Sequence, residues 1–154
     1  MHLQEREILH PEALIQILKA GKYTTLALCS NNVPYVVTLS YGFDEAANTL
    51  FFHSSPTGLK LTMLQANPTV CGTVVEDRGY VDGQCQHAYR SVVFNGQMVQ
   101  VEDEEEKHHG MRTILFQLDP DPEKLVERLK RTKFTQKTII LKLTMQNIRG
   151  KEGQ

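Results

Sequence analysis

The sequence predicts a mainly β chain with helices: a small antiparallel barrel folded as one domain over residues 1–154. Three observations predict it. Strand-like runs at residues 23–29, 34–43 and 49–53 follow one another with only short polar turns between them, which makes a meander. A helical segment at 56–66 then separates that meander from further strands, so the barrel is interrupted. Strand–helix–strand alternation is sparse and no glycine-rich loop follows the first strand, which argues against a doubly wound parallel sheet. A chain of this length buries roughly 68–70% of its unfolded surface, so its core needs neither metal nor disulfide.

The elements follow in order. Residues 11–20 read as a helix, with Pro11 at its first position, Gly21 at its stop, and Ala13, Leu14, Ile17 and Leu18 as its apolar stripe. Ser30-Asn31-Asn32 turns the first strand into the second, and residues 44–48 turn the second into the third. The helix at 56–66 carries Leu59, Met63 and Ala66 on one face and ends at Asn67-Pro68. Residues 69–76 are a strand, Asp77-Arg78-Gly79 a turn, and 89–101 a long strand in which Gly96 marks a bulge or bend. Asp103 with Glu106 three residues on reads as a capping box, opening a helix with Met111, Ile114, Leu115 and Leu118 at helical spacing. Asp121-Pro122 starts a short helix carrying Leu125, Val126 and Leu129, and residues 137–143 close the chain as a last strand.

Composition narrows the function classes. Seventeen Lys and Arg against eighteen Asp and Glu give a net charge of −1, which disfavours a nucleic-acid binder. No stretch approaches the ~20 apolar residues of a membrane helix, and the charged first residues do not resemble a signal peptide. Cys29, Cys71 and Cys85 are odd in number and widely spaced, so a reduced, cytoplasmic protein is the simplest reading. There is no CxxC, and no metal site is expected.

The most informative stretch is Leu50-Phe51-Phe52-His53-Ser54-Ser55-Pro56-Thr57-Gly58-Leu59-Lys60-Leu61, a strand running straight into a helix. A helix start offers unpaired N–H groups and partial positive charge, which suits a phosphate, and Lys60 would add a full charge. Ser54 and Ser55 could donate hydroxyls to the same group. The same pattern also describes an ordinary surface helix capped by Ser55. Thr38 and Ser40 share one face of their strand while Val37, Leu39 and Tyr41 share the other, so the two hydroxyls line either a ligand cavity or a solvent-facing surface.

Four stretches occur in an order that resembles the pyridoxamine 5′-phosphate oxidase-like FMN-binding split barrels, most closely the Nim-type (nitroimidazole-resistance) flavoproteins. They are Pro34-Tyr35-Val36-Val37-Thr38-Leu39-Ser40-Tyr41-Gly42-Phe43; Leu50-Phe51-Phe52-His53 through Leu59-Lys60, Leu64 and Asn67-Pro68; Tyr89-Arg90-Ser91-Val92-Val93-Phe94-Asn95-Gly96; and Val101-Glu102-Asp103 with Glu106-Lys107. The resemblance implies a homodimer with FMN at the subunit interface. It implies that Val36, Val37, Thr38, Leu39, Ser40 and Tyr41 run along the flavin ring, partly through backbone groups. Phe52 and His53 would lie at the strand end near the flavin, Lys60 would bind its phosphate, and Ser91 would reach it from the long strand. His53 is what points to the Nim-type subgroup.

Two departures bear on activity. Leu59 stands where the oxidases carry an arginine, and Arg90 compensates only if it faces the site, whereas strand alternation sets it opposite Ser91. The chain has no Trp, and residues 144–154 lack the oxidases' C-terminal Trp and Arg, which argues against pyridoxamine phosphate oxidation.

The resemblance thus implies an FMN-dependent oxidoreductase with a small-molecule substrate, a nicotinamide donor and an electron-poor acceptor such as a nitroaromatic, with His53 as the candidate catalytic proton donor. The alternatives are a non-enzymatic FMN-binding or sensing module, and a haem-binding split barrel with His53, His87 or His109 as axial ligand. Cys85 and His87 form a C-x-H pair that packs or is exposed by default. His108 and His109 read as helix-surface partners of Glu104 and Glu105, and the basic run 124–133 as a solvated helix face.

Overall fold

The computed structural model describes residues 4–132, 134 and 138–153. After a single 3-10 turn (Gln4–Arg6) come β1 (Glu7–Ile8), α1 (Pro11–Ala20), β2 (Tyr23–Ser30), β3 (Val33–Ser40), β4 (Gly42–Asp44) and β5 (Thr49–Ser54). They are followed by α2 (Leu59–Ala66), β6 (Thr69–Val81), β7 (Gln86–Gln100), α3 (Glu104–Leu118), α4 (Pro122–Lys130) and β8 (Ile139–Gly153). All strand pairings are antiparallel, in the order β3-β2-β6-β7-β8-β5-β4, with β1 added alongside β8.

The two ends of that order, β3 and β4, are joined by Tyr41 alone. The sheet must therefore curl until its edges meet at this residue, while farther along β3 the two edges diverge. That is a split barrel. The expected single strand at 34–43 divides here because alternation fails: Tyr41 and Gly42 are both buried. The Tyr41 phenol enters the core and donates to the Leu18 carbonyl at 2.7 Å. Gly42 lies against the α3 backbone at Thr113 and Ile114, where no Cβ fits.

The barrel interior gathers Leu26, Leu28, Leu50, Phe52, Val74, Val92, Phe94 and Leu143, closed by Ile17 and Leu18 of α1 and Met63 and Leu64 of α2. A smaller cluster of Phe51, Val101, Ile114 and Ile140 lies on the outside of β5 and β8, beneath α3. The outer face of β3, β2, β6 and β7 has no such cover among the described residues.

Several boundaries differ from expectation. The helix expected at 56–66 starts at Leu59, because Gly58 takes φ 137° and ψ 163° and serves as its N-cap. That backbone conformation is essentially closed to residues with a Cβ. Asp77-Arg78-Gly79 does not reverse the chain. Asp77 Oδ1 accepts from the Gly79 N–H at 2.8 Å, pairing resumes at Tyr80 with His87, and the segment is a bulge within β6. The reversal falls at residues 82–85, with Gly83 and Cys85 at positive φ. Gly96 is not itself a bulge: it pairs regularly with Val70, and its missing Cβ lets the Thr144 carbonyl approach. The register shift lies just before it, between Val93 and Asn95, where β8 carries Asn147 at positive φ. The last strand runs to Gly153 instead of ending at residue 143, so most of the presumed tail is sheet; Lys137 lies outside the described residues.

The N-cap of α3 follows the sequence. Asp103 Oδ2 accepts from the Glu106 N–H at 2.8 Å. The Glu106 carboxylate does not close the box but takes Lys142 Nζ at 2.6 Å, tying α3 to β8. Among the described residues no helix is long and apolar enough to cross a membrane.

Candidate functional site at the barrel split

The split is bounded by β3 on one side and β5 on the other. β4 pairs with β5 through Gly42 and Phe51. Continued two residues back from Gly42, that register would set Ser40 opposite His53. Instead β3 turns away to pair with β2, where Ser40 meets Tyr23 and Thr38 meets Thr25. The opened edge therefore carries Ser40 and Thr38, and His53 stands across from them at the end of β5. Residues 55–58 and the first turn of α2 follow directly.

Strand alternation places Val36, Thr38 and Ser40 on the exposed outer face and leaves Val37 and Leu39 half-buried toward the barrel. Thr25 adds a hydroxyl to that face, its Oγ1 3.1 Å from that of Thr38. Its position was legible, since Tyr23, Thr25 and Ala27 alternate with the buried Thr24, Leu26 and Leu28. The Tyr41 and Phe52 side chains are fully buried, so only their backbone is left to face a ligand. Burial also raises the Tyr41 phenol well above the ordinary tyrosine range.

His53 is exposed and has no hydrogen-bond or ion-pair partner among the described residues. Ser54 is buried and its hydroxyl donates to the Ser55 carbonyl at 3.1 Å. Ser55 is exposed and does not cap α2; the first intrahelical donors are the Leu61 and Thr62 N–H groups, both to the Gly58 carbonyl. The N–H groups of Leu59 and Lys60 are thus the open donors expected of a helix start. Lys60, expected about one turn inside the helix, stands at its second position. It is half-buried with no anionic partner among the described residues, and burial lowers its pKa from the usual lysine value. An ammonium losing water without a counter-charge is what an anion placed there would relieve.

Ser91 lies apart. It sits on β7, three strands from β3, and donates to the Lys151 carbonyl at 3.4 Å. It shares the outer face with Val75, its partner in the ladder. A single chain does not bring Ser91 beside His53. Arg90 points away from the outer face, and its guanidinium donates to Glu76 at 2.6 and 3.1 Å. It does not replace the arginine missing at Leu59, whose own side chain is exposed.

His87, His108 and His109 are engaged. His87 Nε2 is 2.7 Å from Asp77, and His109 Nε2 is 2.7 Å from Asp44. The His108 ring stands edge-on to Phe134. In place of the expected surface pair with Glu105, His109 is joined to Asp44. Cys85 is an exposed free thiol in the hairpin turn, and Asp77 holds the histidine of the C-x-H pair. Lys133 of the basic run lies outside the described residues, whereas Lys124, Arg128 and Lys130 are exposed as a solvated face requires.

Sequence and structure comparisons agree with this fold. The family model for pyridoxamine 5′-phosphate oxidase matches residues 10–152, and the chain belongs to that family. Among solved structures it is similar to a candidate 5-nitroimidazole antibiotic resistance protein from Bacteroides thetaiotaomicron VPI-5482, at 25% identity and a TM-score of 0.76, covering 95% of this chain and 86% of that one. It shares the fold of a FAD-binding protein from Mesorhizobium loti, at 23% identity, TM-score 0.69, and coverage of 95% and 96%. It also shares the fold of a FAD and haem binding protein from Mycobacterium smegmatis, at 17% identity, TM-score 0.72, and coverage of 97% and 74%. A search of the curated proteins found no match.

Proposed function

We propose that this chain is a homodimeric FMN-binding oxidoreductase that takes reducing equivalents from a reduced nicotinamide donor and passes them to an electron-poor acceptor such as a nitroaromatic. The observation that carries the flavin reading is Lys60: a half-buried ammonium with no anionic partner among the described residues, in the first turn of α2, the helix that follows His53 and the end of β5. That ammonium fits a phosphate at the helix start, and the Thr38 and Ser40 hydroxyls fit a polar ring edge along β3. When bound, the flavin supplies the electron and hydride chemistry. The chain's residues do the rest. Lys60 and the Leu59 and Lys60 N–H groups hold the phosphate. Val36 to Tyr41 orient the ring by backbone groups and by the Thr38 and Ser40 hydroxyls. His53, free of other partners, holds or gives a proton to the acceptor. The dimer is supported by the uncovered outer face of β3, β2, β6 and β7, where Tyr23, Val36, Val75 and Val93 are exposed together. A second copy there would shield the ring from water and bring its own Ser91 toward the split.

The test is titration of flavin-free protein with FMN and with FAD, followed by anaerobic turnover with NADH or NADPH and a panel of nitroaromatics. The reading expects tight one-per-chain FMN binding, weaker FAD, and acceptor-dependent nicotinamide oxidation that His53→Ala lowers. FMN binding without turnover across the panel would leave a binding module in place of the enzyme. A Soret band on adding hemin, absent in His53→Ala and accompanied by no flavin uptake, would replace flavin by haem.

A further inference from the structure

A cavity lies far along the chain from the split, between α3 and α4, with a volume of about 610 Å³. That is within the ~300–1,000 Å³ range of small-molecule sites. Its cause is visible in α4. The sequence gives this helix an apolar stripe, yet none of its residues is fully buried: Leu125, Val126 and Leu129 are only half-covered. Val126 and Leu129 face Met111 and Leu115 of α3 across the cleft, so two apolar helix faces stand apart where packing would ordinarily close them.

The rim of the cleft is basic. Arg112, Lys130 and His108 line it, and among the described residues no acidic side chain does. Lys130 is held by Glu127 at 2.5 Å, and His109 by Asp44. Arg112 has no carboxylate partner among the described residues; its guanidinium lies 4.5 Å above the Phe116 ring, on the outside of α3. Apolar walls bordered by Arg112, whose guanidinium would swing from the Phe116 ring to meet a ligand, complement a hydrocarbon body with an anionic head.

We propose that the α3–α4 cleft binds a small amphipathic anion, a medium-chain or aromatic carboxylate, with its apolar part between the helices and its head on Arg112. This site is separate from the flavin reading and does not depend on it. Such a ligand would complete the packing of α4 and fix it to α3.

The fluorescent sulfonate 1-anilinonaphthalene-8-sulfonate serves as the probe, displaced by decanoate or by decanol. The proposal expects one probe per chain, displacement by decanoate at least about tenfold more effective than by decanol, and loss of that preference in Arg112→Ala. Arg112 is exposed, so this variant should keep the wild-type melting temperature. Leu129→Glu should abolish probe binding, and Lys60→Ala should leave it unchanged. No probe binding, equal displacement by decanol and decanoate, or binding that is lost in Lys60→Ala but kept in Arg112→Ala would each overturn the proposal.

Discussion

In the proposed flavin site Lys60 and His53 divide the work, and they should separate on mutation. Removing a charge-assisted phosphate contact costs about 1.5–3 kcal/mol, so Lys60→Ala should weaken FMN binding roughly 10- to 100-fold, with Lys60→Arg recovering part of it; fluorescence titration measures both. His53→Ala should keep FMN affinity within a few-fold while lowering turnover about a hundredfold, the usual scale for a general acid. Asp44 makes a third prediction, about stability. Its hydrogen bond with His109 holds its carboxyl below the usual aspartate value, against the opposing pull of burial. A carboxylate with a depressed folded pKa contributes stability that is present above the unfolded value and lost as pH falls through the folded one. Thermal melts between pH 5 and 2 should therefore show an acid-side loss beginning below about pH 4, and a shallower loss in Asp44→Asn. The half-exposed imidazole is screened by water, so Asp44→Asn should cost only about 1 kcal/mol at neutral pH. A variant with an unchanged acid slope would assign that loss to other carboxylates.

At the scale of elements, the close approach of α3 to β4 is the contact that bends the sheet shut at Tyr41. Gly42→Ala would drive a Cβ into the backbone of Thr113 and Ile114, which cannot give way as a side-chain tip can. It should cost about 3 kcal/mol or more, at the upper end for point changes, and show in urea melts. Elements held by local chemistry were legible in the sequence: α1 between Pro11 and Gly21, α3 from Asp103, α4 from Pro122, and the β2–β3 hairpin over Asn31 and Asn32. What the sequence misplaced was decided by backbone conformation or by pairing at a distance. Gly58 starts α2 three residues late through its own backbone conformation, but Ser55 and Pro56 look like an equally good start. Asp77-Arg78-Gly79 has turn composition, yet pairing of Glu76 with Arg90 and Tyr80 with His87 carries the ladder past it. The site divides the same way. Alternation alone put Thr38 and Ser40 on one face. The split that sets Ser40 across from His53 needs the whole strand order, and the aspartates that hold His87 and His109 come from other strands.

For the whole molecule, the uncovered outer face of β3, β2, β6 and β7 should decide assembly. Tyr23, Val36 and Val75 expose 64%, 62% and 58% of their surface in one chain, a patch that monomers seldom leave to solvent. A charge pair placed there, Val36→Glu with Val75→Glu, should turn a dimer into a monomer in light scattering. The same change should lower FMN retention, because in the proposed dimer the second copy closes the site. A monomeric wild type would break the link between assembly and flavin. The most direct measurement is the absorbance spectrum of freshly purified protein, with mass spectrometry of whatever heat releases from it. Oxidised-flavin bands and a released mass of FMN, both lost in Lys60→Ala, are the expected result. A colourless protein that stays flavin-free after incubation with FMN would contradict the flavin site, leaving the split barrel as fold alone.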